Sequence, residues 1–225
     1  MTYYSEDSSS VSTTNIVNQA FAWMFGGLLL TTLASFVVAS NNSLANLIIT
    51  NNIVFFGLII AELVLVFFLS LRVQKMSFGV ALIVFLVYSI LNGLTISSIF
   101  FIYTASSIAS SFLIAALVFG IMAFYGYVTK RDLTSVGNLA LMALIGVILA
   151  SVVNLFLKSN TLSYVVSYLA IVIFIALTAY DTQKIKRMAA SGASQNMGIL
   201  GALSLYLDFI NIFLNLLRIF GRERD

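Results

Sequence analysis

The sequence predicts an all-α, polytopic membrane protein, a bundle of seven membrane-crossing helices. Three observations carry this reading. Of its 225 residues, 61% are apolar and only 8% charged, with a mean hydropathy of +1.07. A soluble domain holds roughly 45–50% apolar and about 25% charged residues. Seven apolar stretches are long enough to cross a hydrocarbon core of about 30 Å, which takes roughly 20 helical residues. Finally, these stretches lack the ten-residue dyad alternation of an outer-membrane barrel.

The elements follow in order. Residues 1–19 read as a polar tail containing Glu6, Asp7 and the Ser/Thr run Ser8–Thr14, with a surface helix from Ile16 onward. The spans run Ala20–Ala39, Ile53–Leu71, Phe78–Tyr103, Ile108–Val128, Leu139–Leu157, Leu162–Tyr180 and Gly198–Phe220, so the membrane domain is 20–220 and a charged tail occupies 221–225. A cleaved leader needs a basic start, whereas the first basic residue is Arg72. The first span therefore reads as a retained crossing. The longest connection, Asp181–Met197, is too short for a soluble domain. With no Pro in the chain, any break inside a span must come from Gly or polar residues.

Basic residues in short loops set orientation. Arg72 and Lys75, Lys130 and Arg131, and Lys184, Lys186 and Arg187 follow the second, fourth and sixth spans; Lys158 alone lies in the other loops. The even-numbered loops and the N-terminus are expected in the cytoplasm. Arg218, Arg222 and Arg224 conflict with this rule if the last span crosses fully. Either that helix is unusual, or late charges accompanied by Glu223 and Asp225 do not control topology.

Composition excludes several chemistries. Without Cys there is no disulfide or thiolate site, and without His there is no imidazole switch or HExxH zinc site. A net charge of +3, scattered along the chain, gives no nucleic-acid footprint. The expected partner is the lipid bilayer, with the chain as a monomer and no resident cofactor.

Four acids need more thought. A carboxylate at mid-membrane costs about 3 kcal/mol on insertion scales and faces the bundle interior. Glu62 lies within the second span and Asp208 within the seventh. Gly201, Ser204, Asp208, Asn211, Asn215 and Arg218 share one stripe of the last helix at helical spacing. Such a stripe is expected to face water or polar helices, not lipid, while Leu203, Tyr206, Leu207 and Ile210 fall on the other faces. Tyr88, Asn92 and Thr95 form a weaker stripe on the third span. Asp181 ends the sixth span beside Lys184, and Asp132 reads as a loop residue or helix N-cap. Asp181 and Asp208 lie on consecutive antiparallel helices and meet only if the last helix begins outside the membrane.

At these residues the chain resembles the transmembrane Bax inhibitor motif family. The run Leu203–Gly221 is similar to that family's C-terminal signature, and Tyr180-Asp181-Thr182-Gln183 to its segment after the sixth span. Asn92-Gly93-Leu94-Thr95, and Gly126-Tyr127 through Lys130, Asp132, Leu133 and Gly137, resemble two further segments. The resemblance implies a central C-terminal helix and, for bacterial members, a pH-sensitive calcium leak in the plasma (inner) membrane. It implies that Asp181 and Asp208 form the gate, that Arg72 is the candidate latch, and that Glu62 lines the path; the polar stripes add Asn92, Ser204, Asn211 and Asn215 as further path-lining candidates. Calcium, the permeant ion, prefers oxygen ligands, and Asp181, Asp208 and Glu62 are the expected transient contacts. Two carboxylates in contact share a proton and titrate as a pair.

The expectation is thus a non-enzymatic channel. Two rivals belong to other classes. An intramembrane aspartyl protease also uses two membrane aspartates, but Asp208 follows Leu205-Tyr206-Leu207, not a GxGD segment, and a Pro-Ala-Leu element is impossible here. A non-conducting regulator that binds other membrane proteins needs no pore at all.

Overall fold

The computed structural model describes residues 3–192, 194 and 196–224, with side chains from Ile16. Glu6, Asp7 and the Ser/Thr run have side chains outside the described set, as does all of Asp225. Among the described residues the fold is helical, with one isolated bridge, Tyr103 to Glu223. Seven helical segments are long and apolar enough to cross a membrane.

The helices are α1 (Tyr3–Ala39), α2 (Asn42–Ala45), α3 (Asn52–Arg72), α4 (Phe78–Ile96), α5 (Ile99–Ile102), α6 (Ala105–Val128), α7 (Thr134–Leu157), α8 (Asn160–Ala190) and α9 (Asn196–Phe220). A π-helical turn, Asn46–Thr50, joins α2 to α3. Local chemistry sets many of the boundaries. Asn51 accepts from the Ile53 and Val54 amides, and Thr104 from the Ser107 amide, capping α3 and α6. The Asp132 carboxylate accepts from both the amide and the hydroxyl of Thr134 at the start of α7.

Three boundaries differ from expectation. The helix of the first span starts at Tyr3, well inside the polar tail, and its membrane-competent part begins at Ile16. The third span is interrupted at Ser97-Ser98, whose hydroxyls bond back to Leu94 and Thr95 carbonyls, a polar break of the kind a proline-free chain must use. Helix α8 continues past Tyr180 to Ala190, so Asp181 is an interior helical residue and does not end its helix. The sequence 181–190 is polar enough to leave a membrane yet contains good helix formers. Gly192, with φ +76°, terminates the run.

The residues form two compact units. The first runs to Ile102 and adds Ile185–Tyr206 and Arg224; the second comprises Tyr103–Lys184 and Leu207–Glu223. In the first, α4 packs between α1 and α3. Helix α9 contributes to both units, and 67% of its most apolar window is buried, against 6% for α3 and α7. Side chains such as Phe56, Ile60, Phe67 and Phe156 remain exposed, as suits a surface solvated by lipid. Helix α9 is unbroken, and the tail after it pairs in the second unit with the connection following the third span, through Thr104 N to Arg222 O (3.0 Å). The last helix is therefore long enough to cross a membrane without a break.

Candidate functional site

In the second unit, the segment around Asp181 is gripped from several sides. Gly126 of α6 lies so close to α8 that a Cβ there would stand 2.2 Å from the Ala179 carbonyl oxygen. Gly137 of α7 lies under the Tyr180 ring, where a Cβ would come within 2.3 Å. Gln183, 6% exposed, clamps the α6–α7 loop in both directions: its Oε1 accepts from Leu133 N (2.9 Å), and its Nε2 donates to Arg131 O (2.8 Å). Thr178 and Thr182 turn their hydroxyls onto their own helix, leaving α8 apolar and tightly packed there. The resembling segment 126–137 thus closes on the resembling Tyr180–Gln183 segment of α8.

Asp208 enters this region from α9. It is 3% exposed, and its Oδ2 accepts no hydrogen bond from any described residue. Asp181, half-buried, acts on it electrostatically. Helix α8 ends at Ala190 and α9 begins at Asn196, so the chain reverses between Asp181 and Asp208. Lys184 is the cation whose charge reaches Asp181, and it lies 5.8 Å from the Tyr180 ring centroid. A buried carboxylate oxygen without a donor is rare and costs about 1–3 kcal/mol or more. Beside it Phe209 meets Phe112 and Phe119 edge-on, an apolar wall against water.

The first unit holds a separate polar chain. Glu62 of α3 accepts from Asn92 Nδ2 (2.9 Å) and from the Thr95 hydroxyl. Asn92 Oδ1 accepts from Tyr206 OH (2.9 Å), which also meets Thr31 Oγ1 (2.5 Å); that hydroxyl lies 2.8 Å from the Ser89 carbonyl oxygen. Phe85 and Tyr88 stand edge-on to the Tyr206 ring.

Several expected placements change. Tyr206, assigned to an apolar face, is completely buried and joins α1, α4 and α9 through its hydroxyl. Its signal in the sequence was only a tyrosine in a helix carrying polar residues. The stripe through Asp208 is less open than its spacing suggests. Gly201 packs on Ile185, and Asn211 and Asn215 donate to the Leu207 and Asn211 carbonyls of their own helix. Ser204 is half-buried, and Arg72 is exposed at the last turn of α3. Among the described residues no three acidic side chains converge to hold a metal ion.

The fold and these groups define a class: a seven-helix integral membrane protein with a carboxyl group buried in its last helix. The family described as "Inhibitor of apoptosis-promoting Bax1" matches residues 13–225, and the chain belongs to it. The Inner membrane protein YbhL of Escherichia coli K12 is 51% identical over 212 residues, 92% of this chain and 91% of the relative. A protein of Deinococcus radiodurans is 41% identical over 211 residues, covering 92% and 90%. One from Borreliella burgdorferi is 40% identical over 219 residues, covering 93% and 94%.

Proposed function

We propose that this protein is a pH-sensitive leak channel for cations, calcium foremost, gated by the Asp181–Asp208 pair. The observation that carries the proposal is Asp208: buried in a membrane helix, with one oxygen unpartnered, and facing the field of a second carboxylate. Stability alone gives no reason to keep two interacting acids there, because intramembrane carboxylates are costly and mark ion or proton pathways. A proton held between two carboxylates makes their joint charge depend on pH, and in a chain without His an acid pair is the available sensor. Arg72 is the proposed latch, and Ser204, Asn92, Asn211 and Asn215 are proposed to line the path. The carboxylates, amides and backbone carbonyls supply the oxygen chemistry that calcium prefers. Calcium flux into proteoliposomes across a pH series tests the reading. A pH-dependent flux above empty vesicles supports it; none at any pH overturns it in favour of a protease or a non-conducting regulator.

Glu62 is proposed to supply charge along the path. Glu62→Gln keeps an acceptor for Asn92 while removing the charge, so flux should fall severalfold with little change in the pH midpoint. A shifted midpoint with normal flux would place Glu62 in the sensor.

We also place the N-terminus in the cytoplasm and the protein in the inner membrane, as YbhL is named for. Accessibility tags beside Lys75, Lys130 and Lys186 should all report the cytoplasmic face, because those loops carry most of the loop basic residues. Tags at Lys130 and Lys186 reporting opposite faces would refute this topology.

A further inference from the structure

Outside the site described above, the second unit carries an unassigned groove between α7 and α8. Its walls include Ala140, Ala143, Gly146, Ala150, Leu169 and Ala176, and no polar or charged side chain enters it; its volume is about 520 Å³. From Val136 to Ala150 it follows α7 for about 21 Å at 1.5 Å per residue, longer than one leaflet of a hydrocarbon core of about 30 Å. Small residues normally let membrane helices close on each other. Here the space stays open: a Cβ built on Gly146 would meet nothing within 4 Å.

At the α7–α8 turn the groove adjoins a second cavity of about 550 Å³, with Val166 lining both. The character of the walls reverses there. Lys158 and Arg218 line this cavity with Asn154, Asn160 and Ser163, and among the described residues no acidic side chain does. Several of these groups are tied into the local structure. Lys158 sits in the left-handed conformation that caps α7, Asn154 Nδ2 donates to Ser163 Oγ (2.7 Å), and Arg218 Nη1 reaches Ser167 Oγ (3.5 Å). Asn160 opens α8, so the positive end of that helix dipole is at the cavity as well. Glu223 acts together with Arg218 on Tyr103.

We infer that this groove and cavity together bind one anionic phospholipid, with an acyl chain between α7 and α8 and the headgroup phosphate between Lys158 and Arg218. An apolar slot of membrane depth ending in two cations, where both helices reach the interface, matches an amphiphile with a negative head. A free anion has no use for the slot, and a neutral lipid none for the cations. Basic pockets between membrane helices are a recognised way of holding anionic headgroups, each Lys or Arg adding about fivefold near the surface.

The test is native mass spectrometry of the full, delipidated chain in detergent, with phosphatidylglycerol and phosphatidylcholine of identical acyl chains as probes. The wild type should retain one phosphatidylglycerol in preference to phosphatidylcholine and gain thermal stability only from the former. Lys158→Gln combined with Arg218→Gln should cut that preference roughly tenfold or more. Gly146→Leu, at a position where a Cβ meets nothing within 4 Å, should weaken retention of both lipids while leaving the lipid-free melting temperature within a few degrees. Equal retention of the two lipids by the wild type, or unchanged preference in the double variant, overturns the assignment. So does unchanged retention in Gly146→Leu, and so does displacement of the lipid by millimolar inorganic phosphate, which would leave a simple anion site.

Discussion

Asp181→Asn and Asp208→Asn, made singly, should each abolish or strongly move the pH dependence of calcium flux in proteoliposomes between about pH 5 and 8. Each change is nearly isosteric, so the packing around Gly126, Gly137 and Gln183 is kept while one carboxylate is neutralised. The remaining acid then has no like-charged neighbour. Asp181 is left with the field of Lys184, and Asp208 is left buried without a second acid. A proton held by two groups cannot survive the loss of either. The double variant should therefore add little to the single ones, because each single change has already removed the coupling. Effects that summed, or single variants that kept the wild-type midpoint, would show two independent acids. Asp181 would then be an ordinary interfacial residue beside Lys184, and Asp208 a lone buried carboxyl.

The seven crossings and the candidate aspartates were legible because burial in lipid leaves a strong mark. Apolar runs must be long, and a charge inside one has few structural reasons to persist. Helix ends were less legible. Hydropathy reports where a helix leaves the membrane, and α8 continues through Lys184, Lys186 and Arg187 to Ala190 because those residues are good helix formers. That continuation turns Asp181 from a helix end into an interior position opposite α9. The break at Ser97-Ser98 was permitted by the composition, but its place depends on two hydroxyls bonding back to α4, which spacing does not reveal.

Tyr206 shows a deeper reason for failure. Dividing a helix into a polar face and a lipid face assumes that one side meets lipid. Helix α9 is buried on most of its circumference, so residues about 200° apart, such as Tyr206 and Asp208, are both internal. Polarity then no longer sorts them. Gln183 was quoted as part of a resembling segment, but its clamp on Leu133 and Arg131 links residues far apart in sequence and becomes visible only in the fold.

Gly126→Ala should be the most damaging of the conservative changes in the second unit. The added methyl would stand 2.2 Å from the Ala179 carbonyl oxygen and 2.8 Å from its carbonyl carbon and Cα. Those are backbone atoms of a continuous helix, so no rotamer change relieves the clash, and α6 must move away from α8. Overpacking of a core costs about 1–3 kcal/mol, occasionally more, and a clash with rigid backbone belongs at the upper end. A melting temperature lower by roughly 6–12 °C in detergent follows for a chain of this size. Ala179 is two residues from Asp181, so the displacement also reaches the pair, and the pH midpoint of flux should shift along with the stability. Gly120→Ala on the same helix is the control. A Cβ there meets nothing within 4 Å, and replacing an exposed helical Gly by Ala stabilises by about 0.5–1 kcal/mol. The two variants should therefore move the melting temperature in opposite directions. If Gly126→Ala melted like Gly120→Ala, α6 and α8 would not approach at Ala179, and the grip that holds Asp181 toward Asp208 would have to be sought elsewhere.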